Sequence, residues 1–407
     1  MIMQKQNLAS VYRLSFRTLF FLLVSLLLST LSWGQRVTRQ ISKEIVVPAD
    51  VVVKTRGPEE IYFTGNGTIN VWQEDGKQKL SAKERSPVIY EFDQHMEVQS
   101  WEENKVKQVV EVTVACPSPD ETEALLDALA VSLQLNRVNE VTIGCELNID
   151  RFMIENGWLK PDKNTIELDD GRVFNIVYLS LSSKLFIPKQ ATFKLKSEWT
   201  SIGMSDHIGP VNINMHGGTF KANRLADLKA NFSSTQLEIS HLKRGDLQLQ
   251  AIRGSLGTVE RLELSSSIST IEIGKVDTLI AENLLSDNIQ LGEAGRLQLD
   301  DARFAELGIR SLTQSANLNG RNTNLSLTGG EFHELTMDNE LAVVDVQLNS
   351  KVCYLLEVVA NAPEKITLPA GIKLLEQNGQ RKIYRIGTGD TPRTLKLNCQ
   401  GCEIKIE

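Results

Sequence analysis

From about residue 176 the chain repeats, and that repeat limits its fold more than any other feature. Ile202, Phe220, Ile239, Leu256, Ile273, Leu291, Ile309, Leu327 and Val346 close successive short β-prone runs at intervals of 17–19 residues. A second apolar column lies two residues earlier, at Leu237, Ile271, Ile289, Leu307, Leu325 and Val344, and fails at Thr200, Gly218 and Gly254. Apolar residues two apart form one face of a strand. A strand of four or five residues cannot bury that face alone, but stacked copies share one core and pair each other's edges. Gly203, Gly257, Gly274 and Gly292 follow the anchor residue, where a coil is expected to turn. A third apolar set, including Ile213, Leu228, Leu247, Leu262, Leu279, Leu297 and Leu335, falls about half a coil earlier. The pattern predicts an all-β chain built as a parallel β-helix, a single-stranded β-solenoid of about 18 residues per coil. Nine coils at ~4.8 Å make a rod of about 40 Å. A sandwich of antiparallel hairpins would need Asn-Gly or Asp-Gly turns at half the period. Asn319-Gly320 stands alone in that role, so the solenoid is the better reading.

The rest of the chain falls into three further units. Residues 36–175 read as a small, mostly β N-terminal domain, with strand-like runs at 51–53, 60–64, 68–72 and 96–101. Val110, Val112 and Val114 alternate with polar residues as a half-buried strand does. One helix follows: Ser118 is its N-cap, Pro119 its first residue and Glu121 the returning member of a capping box. Strands at 131–135 and 141–145 close the domain, and the charged segment 73–92 reads as a long loop. The solenoid occupies 176–349. Residues 350–407 leave the period and are expected as a C-terminal β cap, because an open solenoid end exposes unpaired strand edges.

Residues 1–35 read as an export signal. Lys5, Arg13 and Arg17 precede an apolar run over 19–31, and Ser32-Trp33-Gly34 offers small residues for cleavage. The run is shorter than the ~20 residues that span a bilayer, so no membrane insertion is expected after cleavage. Formal net charge is −7, and removing residues 1–35 takes away three bases and no acid, leaving −10. Such a chain has no electrostatic footprint for nucleic acid. Aromatic residues are 6% of the chain, too few for a stacking platform.

At this point three stretches carry a resemblance. They are EIVVPADVVV at 44–53 together with VQSWEENKVKQVVEVTV at 98–114, Leu185-Phe186-Ile187-Pro188 at the entry to the repeats, and the ending over 386–406 with Gly387 and Gly389. In these the chain resembles a family of exported proteins, common in Bacteroidota, that bear the name adhesin and carry a β-solenoid domain of unknown function. The resemblance covers most of the mature chain. It departs in the 73–92 insertion and in Cys399 and Cys402. It implies a right-handed parallel β-helix and a binding role.

Candidate chemistry is sparse. Cys116 and Cys145 end strands that flank the helix, so a disulfide between them is expected in an exported protein. Cys399-Gln-Gly-Cys402 is a C-x-x-C at a turn between terminal strands, read as a local disulfide or two free thiols rather than a redox or zinc site. The histidines (His95, His207, His216, His241, His333) share no period and read as solvated or core-edge. Glu282 and Asp300 lie one period apart, a spacing that would bring two carboxylates to adjacent coils, as retaining glycosidases require; the competing reading is an outward acidic face. No cofactor and no metal are expected. The functional expectation is a non-enzymatic exported binding scaffold of the adhesin kind, with a protein or glycan ligand, in the periplasm or on the cell surface. A periplasmic structural or envelope-signalling protein is the alternative, and a polysaccharide-acting enzyme a third.

Overall fold

The computed structural model describes residues 35–56, 61–64, 68–74, 77–83, 92–137, 140–155, 163–198, 200–370, 372–390 and 392–407. The expected export signal lies outside the described residues, apart from Gln35. The chain is an all-β solenoid, and Pro119–Ala128 is the one α-helix among the described residues.

Six long strands form the body: Thr219–Ser233, Gln236–Gln250, Arg253–Ser267, Thr270–Leu285, Asn288–Arg303 and Glu306–Arg321. Each pairs in parallel with the next, so a residue sits beside its counterpart one coil on. Ser201–Met204 and His207–His216 extend the stack before Thr219, and Asn324–Leu327, Glu334–Glu340 and Val343–Val346 extend it after Arg321. Like side chains therefore stack. One inward column runs Ile202, Phe220, Leu237, Gly254 and Ile271 and on to Val344. Another runs Met204, Ala222, Ile239 and Leu256 and on to Val346. The large members are nearly all buried below 5% exposure, and each buried Leu or Ile contributes ~1.5–3 kcal/mol.

The register corrects the expected columns at one end. Ile202 and Phe220 stack with Leu237, not with Ile239. A slip of two residues keeps the same side chains facing inward, so apolar spacing alone does not detect it.

The corners also differ from expectation. Gly257, Gly274 and Gly292 do not have positive φ. A Cβ on Gly292 would lie 2.2 Å from Gly274 O, and one on Gly274 would lie 2.6 Å from Gly257 O. Glycine stands there because neighbouring coils approach too closely for a side chain. The sharp turn is at another corner, where Ser234, Ala251, Ile268, Ser286, Phe304, Asn322 and Leu341 all hold φ between 51° and 56°. Left-handed backbone costs a non-glycine residue ~1–2 kcal/mol. Each turn is held by its neighbour coil, as where Ile268 N donates to Leu285 O at 2.8 Å and Phe304 N to Arg321 O at 3.0 Å.

The C-terminal residues expected outside the period contain one more coil. Arg393–Gln400 pairs with Glu334–Glu340, and Glu403–Ile406 pairs with Val343–Val346, so Ile404 and Ile406 continue the two inward columns. The excursion between Val346 and Arg393 covers the final edges. Tyr354–Ala360 pairs onto Arg393–Gln400, and Ile366–Thr367 onto Glu403–Ile406.

At the other end, Phe92–Trp101 pairs in parallel with Ser201–Met204, and Val52–Arg56 with Thr192–Glu198, so N-terminal strands share the solenoid's sheets. The helix starts as predicted, with Glu121 N donating to Ser118 Oγ at 3.2 Å. The Glu121 carboxylate, expected to return to the cap, accepts from Asn175 N at 3.1 Å instead. The expected 73–92 loop contains a strand, Lys77–Lys83, in a hairpin with Thr68–Glu74, and residues 84–91 lie outside the described residues.

Candidate binding trough

Outward-facing residues of the short strand segments, from Glu238 to Asp345, line an open trough of about 1150 Å³ along the solenoid. A smaller depression of about 370 Å³ shares Glu238 and Ser240 and carries the trough to Glu97 and Gln99 on Phe92–Trp101. The larger trough is lined by small residues (Ser240, Gly257, Gly274, Gly292) at a corner where neighbouring coils approach closely. Among the described residues, no aromatic side chain lines it.

Among the charged lining residues the acids Glu97, Glu238, Glu272, Glu306 and Asp345 outnumber the cations Lys221 and Arg310. Glu238 holds Lys221 at 2.8 Å. Glu306 accepts from Asn288 Nδ2 at 3.2 Å, and Asn288 Oδ1 accepts from Gln290 Nε2 at 2.8 Å. The Gln290 amide lies over Gly308, where a Cβ would collide with it. Asp345 Oδ1 is buried without a hydrogen-bond partner. Chemically the trough offers carboxylate, amide and hydroxyl groups, repeated coil after coil, to something long and thin. Sequence reasoning missed it because its residues share no motif; they become neighbours only through the register.

The sequence-predicted carboxylates lie elsewhere. Ala281 pairs with Leu299, so Glu282 and Asp300 follow on adjacent coils as their spacing implies. Both are exposed, neither lines the trough, and Asp300 accepts from Gln298 Nε2 at 2.9 Å. Glu282 is the extra residue of a bulge between Ala281 and Asn283. Asp301 is taken up by Arg303 at 2.7 Å. These contacts fit the outward acidic face.

Of the cysteines, Cys399 and Cys402 form a disulfide across the turn of the last coil. Cys116 is a free buried thiol, pushed up to about 11 by burial, rather than half of the bridge expected with Cys145. The side chain of Cys145 lies outside the described residues. Among the described residues, no group of three His, Cys, Asp or Glu is placed to hold a metal ion, and no helix is long and apolar enough to cross a membrane.

One buried polar residue escaped the sequence reading, and a second, His207, is buried where a solvated or core-edge place was expected. Asp287, at the turning corner, accepts from Ser266 Oγ at 3.0 Å, Ser269 N at 2.8 Å and Leu285 N at 2.9 Å. Burial raises its pKa, and those donors partly offset the rise. It ties two coils together. His207 heads the inward column of Leu225 and Leu242, 1% exposed. Its Nδ1 lies 2.7 Å from Ser100 Oγ and its Nε2 2.8 Å from Ala191 O. Ala191 O can only accept, so Nε2 carries the proton and Nδ1 accepts from Ser100. A Ser–His pair resembles half a hydrolase, but Ser100 N is occupied by Ser205 Oγ at 3.0 Å and the imidazole is sealed in the core. The pair bolts Phe92–Trp101 to the first coil.

Burial lowers the His207 pKa, the backbone contact to Ala191 partly opposing it. A depressed histidine pKa contributes stability that is complete above the unfolded value of ~6.5 and is lost as pH falls through the folded value. Between pH 7.5 and 5 the wild-type urea midpoint is expected to fall, with a slope of at most ~1.4 kcal/mol per pH unit from this group. His207→Gln should start less stable and lose that dependence; an equally steep fall in the variant would reject the assignment.

No family model matches the chain, and no curated protein matches it. Among solved structures it is similar to a "putative cell adhesion protein" from Clostridium sporogenes, at 9% identity over 91% of this chain and 97% of that one, TM-score 0.17. It is also similar to a "putative adhesin" from Parabacteroides merdae, at 12% identity over 72% of this chain and 95% of that one, TM-score 0.30. At these scores neither likeness carries an argument about function.

Proposed function

We propose that this chain is an exported, non-enzymatic binding scaffold of the adhesin kind, and that the trough is its contact surface. The observation that supports this is the continuity of the trough from Glu97 to Asp345 across successive coils. Repeated shallow contacts along a rigid solenoid suit an extended ligand and gain strength from number rather than depth.

Ser255 is an exposed trough residue between two inward-facing positions, so Ser255→Trp fills the trough without touching the core. Beads coated with the mature chain are expected to capture at least one surface from a panel of immobilised matrix proteins, basic proteins and glycans. Ser255→Trp should reduce that capture ~tenfold with an unchanged melting temperature. Full capture by the variant would remove the trough from the reading. Protease shaving of intact cells addresses the place of action: loss of the protein before lysis is expected, and survival until lysis would overturn binding to external targets in favour of a periplasmic scaffold.

A further inference from the structure

From Glu238 to Asp345 the trough's carboxylates recur along the axis, and that spacing is the basis for a ligand; Glu97 stands outside the series, three coils before Glu238. Glu238, Ser255, Glu272, Gln290, Gly308, Ser326 and Asp345 follow one another on consecutive coils. Glu306 sits two residues before Gly308, on the same coil. Glu238, Glu272, Glu306 and Asp345 therefore place one carboxylate on every second coil. At ~4.8 Å per coil they recur about every 9.6 Å along the axis, with Glu306 displaced ~7 Å sideways by its two residues.

We infer that the trough receives a basic, extended polypeptide segment in the polyproline II conformation, with a cationic side chain at every third residue. This rests on the trough being the binding surface. A polyproline II helix has three residues per turn at 3.1 Å each, so positions i and i+3 share a face about 9.3 Å apart. Four cations at i, i+3, i+6 and i+9 span about 28 Å, against about 29 Å for the four carboxylates. A β-strand ligand points i and i+3 to opposite sides. An α-helical one brings them within about 4.5 Å along its axis.

Charge complementarity supports the same class. Lys221 and Arg310 are the cations lining the trough, and Lys221 is engaged by Glu238 in an exposed pair that exchanges easily. Glu272 has no ion pair among the described residues, whereas Asp345 has Lys405 beside it on the next coil. An acidic ligand is repelled here. With no aromatic side chain among the described residues that line it, the trough draws its affinity from matched charge, which is screened by salt.

The test is fluorescence anisotropy with the mature chain and labelled twelve-residue peptides. One repeats Pro-Pro-Lys four times, and one has the same composition with its lysines consecutive. A third replaces Lys by Glu, and a chitosan tetramer probes amino sugars. The spaced peptide is expected to bind ~tenfold or more tighter than the clustered one, with the glutamate peptide silent. Glu272→Gln combined with Glu306→Gln, both exposed positions, should weaken it ~tenfold without changing the melting temperature. Equal affinity for spaced and clustered lysines, an unaffected double variant, or binding of chitosan alone would each overturn the proposal. If no peptide binds while Ser255→Trp still reduces capture by coated beads, the ligand class is wrong and the trough reading stands. If both fail, both go.

Discussion

Gly292→Ala is expected to destabilise the solenoid by ~3 kcal/mol or more, read as a fall in the urea midpoint. Local propensity points the other way. Gly292 has no positive φ, and at an unstrained position Gly→Ala ordinarily stabilises by ~0.4–1 kcal/mol through the unfolded chain. What decides the sign is the neighbouring coil: the new Cβ would lie 2.2 Å from Gly274 O, a backbone atom that cannot rotate aside. Relief requires the coils to separate, and coils stacked above and below oppose that. The opposite corner supplies the control. Ile268 holds φ 55° with its side chain 66% exposed, so it bears the left-handed cost and buries little in return. Ile268→Gly removes ~1–2 kcal/mol of backbone strain against ~0.5–1 kcal/mol of added chain entropy, and should be neutral to slightly stabilising. A neutral Gly292→Ala together with a destabilising Ile268→Gly would show that the two corners have been assigned the wrong way round.

Those two corners also mark what the sequence made legible. Inward columns recur at the coil period because burial demands apolar side chains, and the period alone was enough to predict stacked coils. The offset that puts Phe220 beside Leu237 was not legible, since side chains alternate with period two and a slip of two preserves the pattern. The conformational freedom of glycine points to it as the turning residue. Here the neighbours force the turn, and Ile268, Phe304 and Leu341 accept it, so nothing in their chemistry announces it. The last coil was hidden because the excursion after Val346 breaks the spacing that would have revealed Ile404 and Ile406 as column members. The trough was hidden for a related reason. Glu272 and Glu306 look like scattered acids along the chain, and only inter-coil register brings them into one trough, two coils apart. Buried His207 is a long-range case as well, its role being set by Ser100 and Ala191 on other strands.

Excising the C-terminal excursion is expected to turn the chain into a self-associating one. Asn324–Leu327 connects to Glu334–Glu340 through residues 328–333 alone, whereas Val346 reaches the equivalent strand only after a long detour. Replacing residues 347–392 by Thr-Gly-Gly-Glu-Phe, the sequence of 328–332, restores the short connection and keeps the final coil. It also strips Tyr354–Ala360 from Arg393–Gln400 and Ile366–Thr367 from Glu403–Ile406. The exposed edges are parallel-paired and backed by the buried columns, the arrangement that templates further strand addition. Light scattering after size exclusion should show dimers and larger species that grow with concentration, while circular dichroism keeps its β signature. A second variant that ends at Val346 bares Glu334–Glu340 and Val343–Val346 instead and should associate in the same way. Were both variants to stay as dispersed as the parent chain, edge protection would not be the excursion's role. Its position on the last coil would then need another explanation, such as extending the sheet that Arg381–Ile386 and Lys373–Asn378 continue outward.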